Sequence, residues 1–195
     1  QHEYLHIFPG KNLVFWQCCM IIHHLFMLRS LLLVNEIADL WHRFYLELCE
    51  LLKGSQGYSD WSSIYYEKPS YMLQSDFSFM IGNDMFDEFV KPELEKTSAR
   101  LSNAWYHLDG IGELKHLDSL LTVDTIKGIQ WVPGEGEPRT RDWSEVYAKI
   151  SKAKRKIQAY YDLDFHLDEI LQVIERPDDL VKMQFGYSID RKNEI

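Results

Sequence analysis

Polar residues stand at the ends of four predicted strands, Asp76, His107 with Asp109, Gln130, and Asp162 with Asp164, and all but Gln130 are of types suited to acid–base or metal chemistry. His107 and Asp109 are two apart, so on a strand both side chains leave from one side. Imidazole nitrogen and carboxylate oxygen both bind zinc, and a catalytic zinc takes three protein ligands plus an open position. Asp76, Asp162 or Asp164 is the candidate third ligand, and zinc or another divalent ion would activate a thiol or water. The competing reading has Asp109 capping the next helix and His107 hydrogen-bonded inside the fold. Asp76, at an apolar strand end, is a candidate general acid or base if partly buried, and otherwise a cap. Asp162 and Asp164 either hold a cation or substrate or bond turn amides. Tyr106, Trp131 and Tyr161 either line a pocket or pack. His116 and His166 read as surface residues, and Lys152, Lys154, Arg155 and Lys156 as a solvated helix end.

The elements that must position these residues alternate. Strands are predicted from Ser70, over Ala104–Leu108, Ile126–Val132, Lys156–Tyr161 and Leu180–Phe185. Helices are predicted from Gly82, with Phe86, Phe89, Val90 and Leu94 buried and a kink at Pro92, then over Gly112–Leu121, Asp142–Lys154 and His166–Glu175. Strand–helix alternation with short loops implies a parallel sheet with right-handed crossovers. The expected class is α/β, either doubly wound or a partial or truncated (β/α)8 barrel. Polar residues at successive strand ends favour the barrel, where they converge on one mouth. Gly134-Glu135-Gly136 lacks the third glycine of a dinucleotide fingerprint. A full barrel needs about 250 residues, so the 195-residue chain reads as the carboxyl-terminal part of one, or as one with a degenerate first half.

The division expected is residues 1–57, an apolar segment and helix, and residues 58–195, the barrel portion. Leu13 to Val34 is long enough for a membrane span, but Gln17, His23, His24, Arg29 and Ser30 interrupt it, which favours a buried helix or strand–helix pair. Asn35 to Lys53 reads as a helix with Ile37, Leu40, Trp41, Phe44, Leu48, Leu51 and Leu52 on its apolar face, stopped at Gly54–Gly57. A net charge of −9 sets general nucleic-acid binding aside. Cys18, Cys19 and Cys49 form no C-x-x-C pair and read as reduced thiols, hence a cytoplasmic expectation. No signal-peptide pattern is seen.

Between Tyr58 and Tyr187 stand, in order, Asp76-Phe77-Ser78, Phe89-Val90-Lys91-Pro92-Glu93, Tyr106-His107-Leu108-Asp109-Gly110, Gln130-Trp131 and Asp162-Leu163-Asp164, and this order resembles the motifs of the uroporphyrinogen decarboxylase superfamily, which includes corrinoid-linked methyltransferases. Asp76-Phe77-Ser78 and Phe89-Val90-Lys91-Pro92-Glu93 look like its Asp-Ser segment and following F-x-x-P-Y helix. Tyr106-His107-Leu108-Asp109-Gly110 resembles its H-x-C-G or H-x-x-G strand end, Gln130-Trp131 its Asp-Trp, and Asp162-Leu163-Asp164 the Asn-Leu-Asp of its Q-G-N-L-D-P turn. The resemblance implies a barrel enzyme with a small-molecule substrate. The arginine-bearing segment with which the decarboxylase holds its tetrapyrrole has no counterpart, which makes the methyltransferase branch the closer analogy. That branch binds zinc through His-x-Cys and a later Cys. Here His107 matches the first ligand, Asp109 replaces the second, and Gly186-Tyr187-Ser188 carries no cysteine. The implied reaction is metal-assisted methyl transfer between a small methylated compound or a corrinoid protein and a nucleophile. Catalysis would fall to Asp76, His107 and Asp109, and substrate binding to Tyr106, Gln130, Trp131, Asp162 and Asp164. The alternatives are a tetrapyrrole decarboxylase and an inactive remnant acting as a homo-oligomer or interaction protein.

Overall fold

The computed structural model describes residues 9–54, 57–134, 136–137, 142–160 and 167–183, with the side chains of the first helix described from Arg29 on. The chain divides into two compact units, Gln1–Phe44 and Tyr45–Ile195. Helix α1 runs over Pro9–Leu51, where a helix or strand–helix pair and a second helix were expected. Among its described side chains, Leu32, Leu33, Ile37, Leu40, Phe44 and Leu51 are more than half exposed, as is Leu52 just beyond its end. Periodicity records that a face exists, not that something covers it. Among the described residues, no helix is long and apolar enough to cross a membrane.

In the second unit, a short antiparallel hairpin of β1 (Tyr58–Ser59) and β2 (Tyr65–Tyr66) precedes the sheet. Its loop is held by Asp60. One carboxylate oxygen accepts the Ser62 backbone N–H at 2.9 Å, and the other accepts the Met72 N–H at 2.7 Å. Met72 lies on β3 (Ser70–Gln74), so Asp60 also satisfies a donor on an edge strand.

The sheet continues with β4 (Asn103–Asp109), β5 (Ile126–Val132), β6 (Lys156–Tyr160) and β7 (Leu180–Met183). All five strands are parallel and stand in chain order, β3-β4-β5-β6-β7. The α/β class and the parallel sheet are therefore as expected. Right-handed crossovers that all step the same way put their helices on one face. The connecting helices are α2 (Asn83–Met85) with α3 (Lys91–Ser98), α4 (Leu117–Leu121), α5 (Ser144–Lys152) and α6 (Leu167–Val173). Pro92 acts as its chemistry requires: it cannot donate to the carbonyl four residues back, and the turn before α3, Phe86–Val90, is a π-helix.

Alternation divides the strand residues between two faces. Tyr106 and Trp131 are fully buried on the helical side, where Trp131 meets Trp143 at the entry to α5, ring centroids 5.1 Å apart. The other face carries Met72 and Trp105, which cluster with Ile64 and Tyr66 of the hairpin. Tyr58 and Val181 pack against the same cluster, so side chains from both outer strands meet one hairpin.

Candidate functional site

Strand β4 ends in Tyr106-His107-Leu108-Asp109-Gly110, and its two faces hold different chemistry. On the hairpin side, His107 and Asp109 stand together, with His107 Nε2 and Asp109 Oδ2 3.8 Å apart. The His107 side chain is 13% exposed and that of Asp109 48%, so the pair is open to solvent chiefly through the carboxylate. Trp61, from the hairpin loop, meets the His107 ring at right angles with centroids 5.0 Å apart. Register places Gln130 of β5 beside His107, and Gln158 of β6 beside Gln130. His107 Nδ1 bonds Gln130 Oε1, Gln130 Nε2 donates to Gln158 Oε1 at 2.8 Å, and Gln158 Nε2 donates to the Ser62 carbonyl at 3.0 Å. A row of polar side chains thus crosses three strands at one level.

On the helical side lies Glu113, in the 3-10 turn Ile111–His116 that follows β4. It is buried, and its Oε2 accepts the Tyr106 hydroxyl at 3.4 Å. Burial pushes its carboxyl up to about 8, helped by the charges of Asp109 and Asp76 and opposed by hydrogen bonds from the Asp109 backbone and Tyr106. Burial, with the Glu113 charge behind it, holds the Tyr106 hydroxyl above the ordinary phenol range. Glu113 is therefore a carboxylic acid that keeps its proton near neutrality, a state suited to donating one.

His107, Asp109 and Gln130 stand together on one face of the sheet. Asp76 opens the 3-10 turn Asp76–Met80, is exposed, and lies on the Glu113 side, where its charge reaches Glu113 and Tyr106. Tyr106 and Trp131, candidates for lining a pocket or for packing, are fully buried on the helical face. Tyr161, Asp162, Asp164 and His166 lie outside the described residues.

His116 is not a surface residue. It is buried, stacks on Phe86 with centroids 4.4 Å apart, and donates from Nε2 to the Ser78 carbonyl at 2.9 Å, joining the two 3-10 turns. Arg155 likewise leaves the expected solvated run: its guanidinium reaches the Leu121 carbonyl and Asp124 Oδ1, both at 3.1 Å.

Sequence reasoning missed Glu113 and Gln158. Gln158 left a signal, a single glutamine within the predicted strand Lys156–Tyr161. On the 3-10 turns that follow β3 and β4, the apolar side chains Phe77, Phe79, Met80 and Ile111 are exposed.

His107 and Asp109 supply two of the three donors a catalytic zinc requires. Among the described residues, no third His, Cys, Asp or Glu completes the set. No family model, no curated protein and no solved structure matches the chain.

Proposed function

We propose that the chain carries consecutive strands of a uroporphyrinogen decarboxylase-like barrel and acts as an enzyme on a small molecule at the carboxyl ends of those strands. Three observations support the barrel reading. The strand order is sequential, the crossovers all step one way, and Met72 on β3 and Val181 on β7 reach the same hairpin cluster. In a flat sheet, strands four places apart lie about 19 Å from each other, so the shared cluster favours a curved one.

The observation that carries the functional reading is the His107–Asp109 pair at the open end of β4. His107 Nε2 takes the proton of an acceptor thiol or water, and the Asp109 carboxylate stabilises the resulting imidazolium. The reaction proposed is methyl transfer from a small methylated compound or a corrinoid: the nucleophile bonds the methyl carbon as the bond from that carbon to the donor breaks and its electron pair stays on the donor; decarboxylation is the second choice. A divalent ion would sit on His107 and Asp109, the two donors among the described residues, and would supply Lewis acidity there.

The test pairs elemental analysis with methyl-transfer assays on methylated thiols, methylated amines and methylcobalamin. Activity abolished in His107→Ala supports the reading. One metal per chain, lost in the same variant, adds the Lewis acid. A folded chain inactive on every donor sinks the reading.

A second reading, a homo-oligomer, is favoured by one observation. Leu33, Ile37, Leu40 and Phe44 follow one another at spacings of four, three and four along α1, and all are more than half exposed. That is the spacing of a two-helix seam with a second copy. A mass independent of concentration, equal in wild type and Leu40→Glu, would exclude it.

A further inference from the structure

Gln130 and Gln158 lie in an unusual place for amides, about 1% exposed in the middle of a parallel sheet. Each amide has one end that only donates and one that only accepts. The direction of the row is therefore decided where it meets a group of fixed polarity. That group is the Ser62 backbone carbonyl, which can only accept. Its position is fixed in turn by Asp60, whose carboxylate takes the Ser62 N–H. Gln158 must turn Nε2 to this carbonyl, which leaves its Oε1 facing Gln130. Gln130 must then turn Nε2 to Gln158, which leaves its Oε1 facing His107 Nδ1. An amide oxygen accepts only, so Nδ1 carries the hydrogen, and in the neutral ring the lone pair lies on Nε2. Reversing either amide would set N–H against N–H or oxygen against oxygen between buried groups, where an unpaired polar atom is costly.

We infer that Gln130 and Gln158 are positioning residues that hold neutral His107 as its Nδ1–H tautomer, presenting the Nε2 lone pair beside Asp109. They act through His107 and not on a substrate. The use of that lone pair in catalysis rests on the proposed function; the tautomer itself does not.

The test is long-range proton–nitrogen correlation of the 15N-labelled chain at a pH where the rings are neutral. The His107 signals are identified by their loss in His107→Asn. Wild type should show a pyrrole-type Nδ1 and a pyridine-type Nε2 at His107. His116, which donates from Nε2 to the Ser78 carbonyl, should show the opposite pattern and so reports that the fold is intact. In Gln158→Leu and Gln130→Leu, the His107 ring should pass to a mixture of tautomers while His116 keeps its pattern. A wild-type His107 that is mixed or Nε2–H overturns the inference, as do folded variants that both leave the tautomer unchanged. If both variants lose the His116 pattern, the wild-type spectrum alone decides. The expected tautomer in a chain whose His107→Ala variant remains active would keep the positioning role and remove the proposed function.

Discussion

Gly110 and Gly134, on the turns that leave β4 and β5, meet so closely that a Cβ on Gly134 would lie 3.1 Å from the Gly110 Cα. Both have positive φ, 79° and 92°, and the Gly110 N–H is bound by the Val132 carbonyl at 2.8 Å. The two turns are thereby locked together directly beyond His107 and Asp109. Gly134→Ala adds strain and a backbone clash at once, and should lower stability by about 1–3 kcal/mol. Gly82→Ala, where a Cβ meets nothing within 4 Å and φ is −78°, should stay within about 0.5 kcal/mol of wild type. Urea unfolding of the two variants checks the contrast.

Glu113 gives the fold a pH dependence of defined sign. Burial raises its carboxyl from the ordinary 4.5 of the unfolded chain to about 8 in the folded one. Between these values the unfolded state holds fewer protons, so this group's contribution to stability falls as pH rises through the window. The decline is at most about 1.4 kcal/mol per pH unit. Glu113→Gln mimics the protonated acid and should flatten the profile. Near pH 8.5 it should be the more stable protein, and near pH 4 the two should coincide. Parallel profiles across the whole range would remove Glu113 as the titrating group.

Asp60 binds the hairpin loop to β3 through the Met72 N–H and holds Ser62 for Gln158. Asp60→Ala leaves the Met72 donor unsatisfied and should cost about 1–3 kcal/mol. It should also loosen the hairpin before the rest of the sheet. Amide exchange that speeds first at Tyr58 and Tyr66 would record that order.

Lys154 offers a change of opposite sign. It ends α5 with φ of 59°, its N–H on the Ser151 carbonyl at 2.7 Å and the Arg155 N–H on the Ile150 carbonyl at 3.3 Å. This is the left-handed cap that glycine fills without strain. Lys154→Gly should raise stability by about 1 kcal/mol, read as an increase in Tm.

The five strands were legible because each is a short apolar run between turn residues, and the Pro92 irregularity because proline chemistry is local. The hairpin was not, since two-residue strands carry no alternation to detect. Glu113 was not either: an acid in a helical pattern reads as a solvated face, and only the packed turn buries it. His116 failed for the same reason, its partner Ser78 lying 38 residues away. His107 and Asp109 were legible as a same-side pair. Their neighbours in the row depend on register, which a single strand does not encode.

The Gln158–Ser62 bond joins positions 96 residues apart, whereas each strand of the sheet pairs with the strand next in the chain. Neighbour pairing lets the strands add one after another with modest loop closure. The hairpin contact closes a far longer loop than any strand pairing in the sheet and gains its bond only after that entropy has been lost. The polar row is thus assembled late and released early. A partly opened chain that keeps its helices and most of its strands has already lost the group that orients His107, so chemistry at that ring reports on the completely folded molecule.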